Sequence, residues 1–433
     1  MGKTTFLAAG DAFISRHLPK GGYDGFQAIK DCICKHDVKF LNLEMTFHDH
    51  KGYPAAASGG TWAMADPKML DDLQSYGFNL YNTANNHSCD YSDGGVLETI
   101  KNLKERDMIF AGTGDNLANA SQACYLELPG VRVAMIGVTA SFNDASRAGG
   151  QSGQMQGRPG LNYLRTDTTY HVTQAYYDTV VAMAEELKVN VRAERSIRNG
   201  YRNPFPEGTV GFDKMKFKLD DSTWVERKVV EADMVRIEAE VREAKRQADV
   251  VLVSIHSHET DYGENDQAPP FMEVFSRRCI DAGADAILGH GPHEVHGIEI
   301  YKNKPIFYSI GNFLFETETV SVQPYDAYVN KKMSPETKVG EFMSARSKNG
   351  TTGYGVLPEI WSSVLIGWTM EEEDVTEIQL YPIDLGMKKK RSQKGIPTLT
   401  DDISILEHLQ KLSEPYNTKI DIRDGVGYIS IKK

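Results

Sequence analysis

Residues 283–313 read GADAILGHGPHEVHGIEIYKNKPIFYSIGNF. The short apolar run at residues 286–288 predicts a buried strand that ends just before His290. Two further apolar runs follow on either side of a polar turn, which is typical of a pair of neighbouring strands. The stretch therefore predicts strands of a sheet, with His290 and His293 beyond the carboxyl end of one of them.

Upstream of this stretch, the same pattern of an apolar run that closes on a polar side chain occurs repeatedly. The polar residues at the predicted strand ends are, in chain order, Asp11, Glu44, Asn86 with His87, and His256. Segments with helical periodicity separate the strands, and the clearest of them spans residues 232–248. This alternation is typical of an α/β fold, in which the carboxyl ends of the strands share one edge. We expect the polar strand ends to meet there.

The length of 433 residues favours one dominant domain with a small extension. The predicted layout is a main domain at residues 1–386, insertions at about 141–230 and 317–353, and a helix followed by a hairpin at 387–433. Alternating apolar residues within 364–385 predict a second sheet. The two insertions are candidates for a lid over the site.

The chain carries 48 Lys and Arg against 60 Asp and Glu, a formal net charge of −12. This charge opposes binding to nucleic acid and to anionic membranes, so we expect neither as a partner. The 5 cysteines form no metal-binding pair, and the first residues lack a signal-peptide pattern, which favours the cytoplasm. The expected partner is a small-molecule or peptide-like anionic substrate, which an acidic protein must hold through a local cation.

The strand-end residues are oxygen and imidazole donors, and none of them carries sulfur. The candidate metal ligands are Asp11, Glu44, Asn86, His256, His290 and His293. Such a mixture suits a divalent Mn, Fe, Zn, Mg or Ca ion, and either one or two ions would fit. Each residue alone is an ordinary loop side chain, but their joint occurrence at successive strand ends favours a metal centre.

The same residues carry a resemblance to a known family. The matching segments are residues 10–11 (GD), 42–44 (NLE), 85–87 (NNH), His256 and 283–313. Together they resemble the CapA family of capsule-synthesis proteins, which is associated with poly-γ-glutamate production and is similar in fold to calcineurin-type metallophosphatases. The resemblance implies a four-layer αββα sandwich, a metal-dependent hydrolase centred on the ligands above, and His87 as the donor of a proton to the leaving oxygen.

Some positions depart from the family pattern. Phe13 stands where phosphoesterases commonly carry a histidine, which implies the loss of one ligand and favours a single ion. Ser257 and His258 replace the last two residues of a frequent His-Trp-Gly motif, and Gly291 replaces a second histidine. The chemistry of the pocket is therefore expected to differ from that of close relatives.

Acid-base chemistry has several candidate residues near the predicted ligands. The catalytic candidates are His87, Asp11, His293 and His296. His258, Glu259 and His296 flank the ligands in sequence, and each can act either as an acid or base or as a hydrogen-bonding support.

A separate motif at residues 157–165, GRPGLNYLR, contains two arginines around a Gly-Pro turn. Arg158 and Arg165, with Asn162 between them, are the candidate substrate-binding residues, because two guanidinium groups can clamp a carboxylate or a phosphate. The alternative is a pair of surface salt bridges.

Three functions remain open at this point. The first is a hydrolase or transferase acting on a phosphate ester or on a γ-glutamyl or peptide substrate, with His87 as acid. The second is a peptide epimerase, in which Asp11 and His87, His293 or His296 exchange an α-proton while the metal or the arginines hold a terminal carboxylate. The third is a non-catalytic binding protein, which predicts an incomplete set of ligands.

Overall fold

The structure is a computed structural model that describes residues 2–260 and 266–431. The chain forms two compact units: the first comprises Met1–Leu164 with Val235–Lys433, and the second comprises Arg165–Met234. The architecture is a mixed α/β fold with several sheets, which confirms the predicted class.

In chain order, the strands of the described residues are β1 (Lys3–Phe13), β2 (Val38–Leu43), β3 (Thr46–Phe47), β4 (Met64–Ala65), β5 (Leu80–Asn82), β6 (Phe110–Ala111), β7 (Thr113–Gly114), β8 (Cys124–Leu128), β9 (Val131–Thr139), β10 (Gly160–Leu161), β11 (Thr166–Val172), β12 (Thr209–Phe212), β13 (Met215–Leu219), β14 (Trp224–Val229), β15 (Val250–His256), β16 (Ala286–His290), β17 (Val295–Tyr301), β18 (Lys304–Ile310), β19 (Asn312–Phe315), β20 (Ser362–Glu371), β21 (Asp374–Asp384), β22 (Thr398–Leu399), β23 (Asp421–Arg423) and β24 (Val426–Ser430).

The helices of the same residues are α1 (Phe26–Cys34), α2 (Met69–Ser75), α3 (Ser92–Lys104), α4 (Leu117–Ser121), α5 (Gln174–Leu187), α6 (Val191–Arg198), α7 (Glu231–Gln247), α8 (Pro270–Ala282), α9 (Tyr325–Asn330), α10 (Val339–Arg346) and α11 (Ser404–Ser413). Short 3-10 turns complete the set. Within residues 2–260 and 266–431, no helix combines the length and the apolar character that crossing a bilayer requires.

The larger sheet of the first unit has the strand order β23-β24-β21-β20-β1-β2-β5-β6. β1 runs parallel to β2 and antiparallel to β20. The prediction of a separate second sheet at residues 364–385 is wrong, because β20 and β21 extend the sheet that contains β1. The open edge of β1 accepts β20 along its whole amino-terminal half.

The other large sheet of this unit has the order β17-β18-β16-β15-β9-β8. Its centre consists of parallel strands, and every residue of β15 is buried. This agrees with the sequence VVLVSIH of β15, since strands covered on both faces read as continuous apolar runs.

The two large sheets share an apolar core. Phe6 and Phe40 from the sheet of β1 belong to the same buried cluster as Leu252 and Phe307 from the sheet of β15. Phe6 also stacks on Trp368 of β20, with the ring centroids 5.0 Å apart. Each fully buried large apolar side chain contributes about 1.5–3 kcal/mol relative to exposure, so this core stabilises the packing of the two sheets.

Helices cover the remaining faces of these sheets. Ile33 of α1, Leu73 of α2 and Leu103 of α3 pack in one cluster with Leu7 and Leu41 of the β1 sheet. α8 contacts β16 and β18 of the other sheet.

The second unit is built on a sheet with the order β12-β13-β11-β14, and α5 contacts β12 and β13. The compact unit spans Arg165–Met234 and therefore covers only part of the insertion expected at about 141–230. Residues 141–164 belong to the first unit, where Leu161 packs with Cys89 and Val96.

The two later segments of interest also belong to the first unit. The insertion at 317–353 contains α9 and α10, and it contributes Tyr328 and Phe342 to the core that includes α1. In the segment 387–433, α11 packs against β17, and the hairpin of β23 and β24 continues the sheet next to β21.

Candidate metal centre

The register of the parallel strands brings the predicted strand-end residues together. Asp11 on β1 lies beside Asn42 on β2, and His256 on β15 lies beside His290 on β16. The following loops then supply the other donors, including Glu44 just after β2. We call Asp11, Glu44, Asn86, His256, His258, His290 and His293 the donor cluster.

Asp11 is buried and surrounded by groups that favour its ionised form. Its Oδ1 accepts a hydrogen bond from Asn42 Nδ2 at 2.7 Å, and its Oδ2 accepts one from the backbone N–H of Gly291 at 3.0 Å. Burial alone would raise the pKa of Asp11, but the hydrogen bonds of His290 and His293 hold that pKa well below its ordinary value. Asp11 is thus an anionic oxygen donor.

Glu44 is equally buried but has no such support. Its Oε1 lies 3.8 Å from Nε2 of both His256 and His258, and its Oε2 lies 3.7 Å from Nδ1 of His293. Within the described part of the chain, neither oxygen has a hydrogen-bond partner. Burial and the charge of Asp11 raise the pKa of Glu44 to about 8. A buried carboxylate of this kind is stable in its ionised form only beside a cation.

His256 and His290 are the imidazole donors at the ends of β15 and β16. Their Nδ1 atoms lie 3.0 Å apart, so no more than one of them carries a proton at that position. His290 Nε2 is 2.8 Å from the hydroxyl of Ser254, and His290 Nδ1 is 3.3 Å from Oδ1 of Asp11, so both ring nitrogens are held in place. Burial lowers the pKa of His256 well below its ordinary value, which keeps the imidazole neutral as a ligand requires.

His293 is held differently from the other imidazoles. Its Nδ1 lies 2.9 Å from Oδ1 of Asn312, whose Nδ2 donates to the carbonyl oxygens of His293 and Ile360, each at 3.0 Å. Because those two contacts orient the amide, Asn312 Oδ1 accepts the Nδ1 proton of His293. His293 can therefore offer Nδ1 to an ion only when this hydrogen bond breaks.

Two further donors complete the cluster. Asn86 Oδ1 is buried without a hydrogen-bond partner among the described residues, and the same holds for Nε2 of His258. His258 is absent from the ligands predicted from the sequence, although it follows His256 at the spacing of two that places side chains on one face of an extended segment. Burial lowers the pKa of His258, which favours a neutral nitrogen donor.

The donor atoms fall into overlapping groups in which all atoms lie within 4.8 Å of one another. The groups are Asp11 with His256 and His290, Glu44 with His256 and His258, and Asp11 with Glu44 and His293. Because neighbouring groups share members, the cluster has space for one cation or for two adjacent cations. Both oxygens of Glu44 and Nε2 of His256 and of His258 lack a hydrogen-bond partner among the described residues, and oxygen and imidazole donors of this kind suit a divalent cation.

His87 lies beside the cluster and is paired with a carboxylate that sequence reasoning missed. Its Nδ1 is 2.7 Å from Asp90 Oδ2, which also accepts the backbone N–H of Ala63 at 2.7 Å. Burial would lower the pKa of His87, but the charge of Asp90 and its hydrogen bond raise it. Asp90 follows His87 by three residues, about one helical turn, and this spacing is the feature of the sequence that indicates the pair.

A cavity of about 480 Å³ adjoins the cluster. Its lining combines cluster members with small and polar residues: Ala57, Ser58, Gly59, Asn86, Cys89, Asp90, Ser141, Phe142, Asn143, Ser146, His258 and Glu259. Glu259 Oε2 is held by the hydroxyls of Ser141 at 2.6 Å and Ser257 at 2.8 Å. The cavity gives a substrate access to Asn86 and His258.

The predicted substrate-binding residues use their side chains in contacts with the protein itself. Arg158 donates from Nε and Nη2 to the carbonyl oxygen of Arg147, at 3.0 and 2.8 Å. Arg165 donates to both carboxylate oxygens of Asp233, and Asn162 donates to the carbonyl oxygen of Gly137 at 2.7 Å. A role of these residues in substrate binding stays a prediction, and the observed contacts do not favour it.

His296, the remaining catalytic candidate, is buried on β17, where it lies opposite Ser309 of β18. It belongs to none of the donor groups found among the described residues.

Comparison with known proteins places the chain in a family. Residues 5–317 match the family described as Bacterial capsule synthesis protein PGA_cap. A similar protein is the Uncharacterized protein y4sH of Sinorhizobium fredii, 36% identical over 446 residues that cover 99% of this chain and 93% of that protein.

Two more distant relatives come from Bacillus. The Capsule biosynthesis protein CapA of Bacillus anthracis is 26% identical over 322 residues, covering 72% of this chain and 60% of that protein. The PGA biosynthesis protein CapA of Bacillus subtilis is 24% identical over 314 residues, covering 71% of this chain and 62% of that protein. The family match spans most of the chain and confirms the resemblance drawn from the motifs, so this chain belongs to the PGA_cap family of bacterial capsule synthesis proteins.

Proposed function

We propose that the chain is a metal-dependent hydrolase or transferase that acts on an anionic substrate. The candidate substrates are a phosphate ester and a γ-glutamyl or peptide bond, and the names of the Bacillus relatives support a role in poly-γ-glutamate synthesis. The observation that carries the proposal is the set of buried donors in the cluster, above all Glu44, whose oxygens have no partner among the described residues.

The arrangement of the sheets supports a metallophosphatase-like architecture. In this proposal the two large sheets and their covering helices form a four-layer αββα sandwich, with the donor cluster at the strand ends. The shared apolar core between the sheets and the helices packed on their other faces agree with it.

In this proposal, the donor cluster and His87 have different roles in the reaction. A divalent cation held by the donor cluster would supply Lewis acidity toward the substrate and lower the pKa of a water molecule. His87 delivers a proton to the leaving group from the side of Asn86. Asp90 accepts the Nδ1 proton of His87, which orients the ring and leaves Nε2 as the atom that faces the substrate.

The first experiment measures bound metal and turnover together. Purified wild-type protein is compared with Asp11→Asn and His290→Ala by elemental analysis and with phosphomonoester, phosphodiester and γ-glutamyl anilide substrates. We expect stoichiometric divalent metal and turnover in the wild type and loss of both in the variants. His408→Ala is the matched control, because His408 is exposed and lies outside the donor groups.

A second arm of the experiment tests the epimerase alternative. Peptides are incubated with the wild-type protein in heavy water and analysed by mass spectrometry. Cleavage without deuterium uptake supports the proposed hydrolase. Deuterium uptake at an α-carbon without cleavage would replace it with epimerisation, and a wild type that binds no metal and turns over nothing leaves the third function, non-catalytic binding.

A further inference from the structure

Arg346 is a half-buried cation that has no carboxylate partner among the described residues. It ends α10, and its Nη1 donates to the hydroxyl of Thr61. Within residues 2–260 and 266–431, no ion pair joins it to a carboxylate. Glu318, whose charge acts on Arg346, is instead bonded to Arg391 and to Lys394.

The environment of Arg346 differs from that of Arg277, which contacts a carboxylate. Burial would lower the pKa of Arg277, but its contacts with Glu299 raise that pKa overall. For Arg346, burial lowers the pKa, and no carboxylate contact reverses the change. A guanidinium remains charged in both environments, so Arg346 is a positive charge that contacts no carboxylate among the described residues.

A short glycine segment places Arg346 beside the donor cluster. A Cβ atom added to Gly59 would lie 2.2 Å from Nδ2 of Asn86, and one added to Gly60 would lie 3.6 Å from Nη2 of Arg346. Thr61, the next residue, accepts the hydrogen bond of Arg346. Asn86 and Arg346 therefore flank the same three-residue segment.

Tyr354 connects Arg346 with the other side of the cluster. Its ring meets the His293 ring edge-on at 5.8 Å and the Phe315 ring at 5.1 Å. Burial, followed by the charge of Glu44, raises the pKa of Tyr354, so its hydroxyl stays protonated as a hydrogen-bond donor. The charge of Arg346 acts on both Tyr354 and His87.

We propose that Arg346, together with the hydroxyl of Tyr354, binds an anionic group of the substrate next to Asn86 and His87. This proposal rests on the proposed function, because it specifies which part of the substrate the site recognises. The planar guanidinium suits an anion with two or more oxygens, so the substrate carries a carboxylate or a phosphate near the reacting bond. The hydrogen bond to Thr61 uses only one of the five N–H groups of the guanidinium.

The test measures binding rather than turnover. Inorganic phosphate and γ-glutamylglutamate are titrated calorimetrically into metal-loaded wild type, Arg346→Met and Arg346→Lys. We expect Arg346→Met to weaken binding of the preferred anion by about tenfold or more, and Arg346→Lys to weaken it less, since a lysine keeps the charge but not the paired donors. The anion that loses affinity identifies the group as phosphate or carboxylate.

Controls separate this subsite from the metal centre and from folding. Bound metal and thermal unfolding are measured for every variant, and Arg423→Met serves as the matched control because Arg423 is exposed and paired with Asp421. Unchanged affinity for both anions in Arg346→Met overturns the subsite, as does a wild type that binds neither anion at millimolar concentration. If Arg346→Met does not fold, the proposal is tested with Arg346→Lys alone. Wild-type anion affinity in Arg346→Lys would contradict a contact made by two N–H groups of the guanidinium.

Failure of the proposed function gives a different result. If the wild-type protein shows no turnover but still binds an anion through Arg346, the anion subsite is supported and the hydrolase is contradicted. In the opposite case, Asp11→Asn loses turnover but Arg346→Met turns over substrate with the wild-type KM. That result would contradict the anion subsite and support the hydrolase.

Discussion

The donor cluster and a group of residues around His171 both combine histidine with carboxylates, and they differ in whether other groups of the described chain bond to those side chains. In the second unit, His171 is buried with its Nδ1 2.7 Å from Asp220 and its Nε2 3.5 Å from Glu226. Its ring stacks on Trp224 at 3.9 Å. We call these four residues the His171 cluster. In the donor cluster of the first unit, by contrast, several lone pairs have no protein partner among the described residues.

The pKa values of Asp220 in the His171 cluster and of Glu44 in the donor cluster shift in opposite directions. The hydrogen bond from His171 lowers the pKa of Asp220. Burial and the charge of Asp11 raise the pKa of Glu44 to about 8. Residue types alone therefore do not distinguish a structural ion pair from a ligand site. The distinction lies in whether the folded chain supplies the proton or charge that each group needs.

The largest expected effect is on metal binding. Glu44→Gln keeps the shape of the side chain but removes the charge, so we expect at least about a thousandfold loss of divalent metal affinity. Elemental analysis after dialysis against a graded series of chelator concentrations measures it. His171→Gln should keep the wild-type metal content. A loss of metal in that variant would contradict the assignment of the metal ligands to the donor cluster.

When the protein is free of metal, Glu44 and Asp220 should contribute to the pH dependence of stability with opposite signs. The raised pKa of Glu44 means that the folded state holds a proton that the unfolded state has released, so stability falls as pH rises from about 4.5 to about 8, by roughly 4 kcal/mol at most. The lowered pKa of Asp220 means that its contribution is present above pH 3.8 and is lost as pH falls through the folded value.

Urea unfolding of chelator-treated wild type and Glu44→Gln over this pH range measures the first slope. The decline between pH 4.5 and 8 should be much smaller in Glu44→Gln. Equal declines in both proteins would contradict the assignment to Glu44.

A moderate effect is expected from His171→Gln. The substitution removes the imidazole that contacts Asp220 and Glu226 and stacks on Trp224, so the second unit loses contacts between β11 and β14. We expect faster amide hydrogen exchange in β11 and β14, measured by mass spectrometry, and unchanged exchange in β15. Exchange at wild-type rates in both strands would show that the contacts of His171 do not stabilise the second unit.

The smallest effect is expected from Ser254→Ala, which removes the hydroxyl that holds Nε2 of His290. Groups that orient a ligand typically change metal affinity by about 10–100-fold, and we expect the lower end of this range. Competition with a fluorescent chelator measures it. Thr376→Ala is the control, because Thr376 is a half-buried residue of β21 and not part of the donor cluster.

The sequence predicts the parts of the centre that depend on local pattern. Asp11, His256 and His290 end apolar runs, and the strand register then brings them into contact. His258 was harder to recognise as a donor, because it lies beyond the end of β15. Asp90 was missed although it lies one turn after His87.

Features that depend on distant parts of the chain were not predictable in the same way. The pairing of β20 with β1 joins residues more than 350 positions apart, and no local pattern reports it. Arg346 reaches the centre only through the packing of α10 beside Thr61. The predicted clamp of Arg158 and Arg165 rested on sequence proximity, and both guanidinium groups bond elsewhere.

The pairing of β1 with β20 has a consequence for biosynthesis. β1 is translated before β20, the strand that covers this edge and ends at Glu371. A nascent chain therefore exposes an apolar strand edge until β20 has been translated, which is a state prone to association with other chains. Because the donor groups combine residues from Asp11 to His293, the complete set of donors for a cation exists only after His293 has been translated.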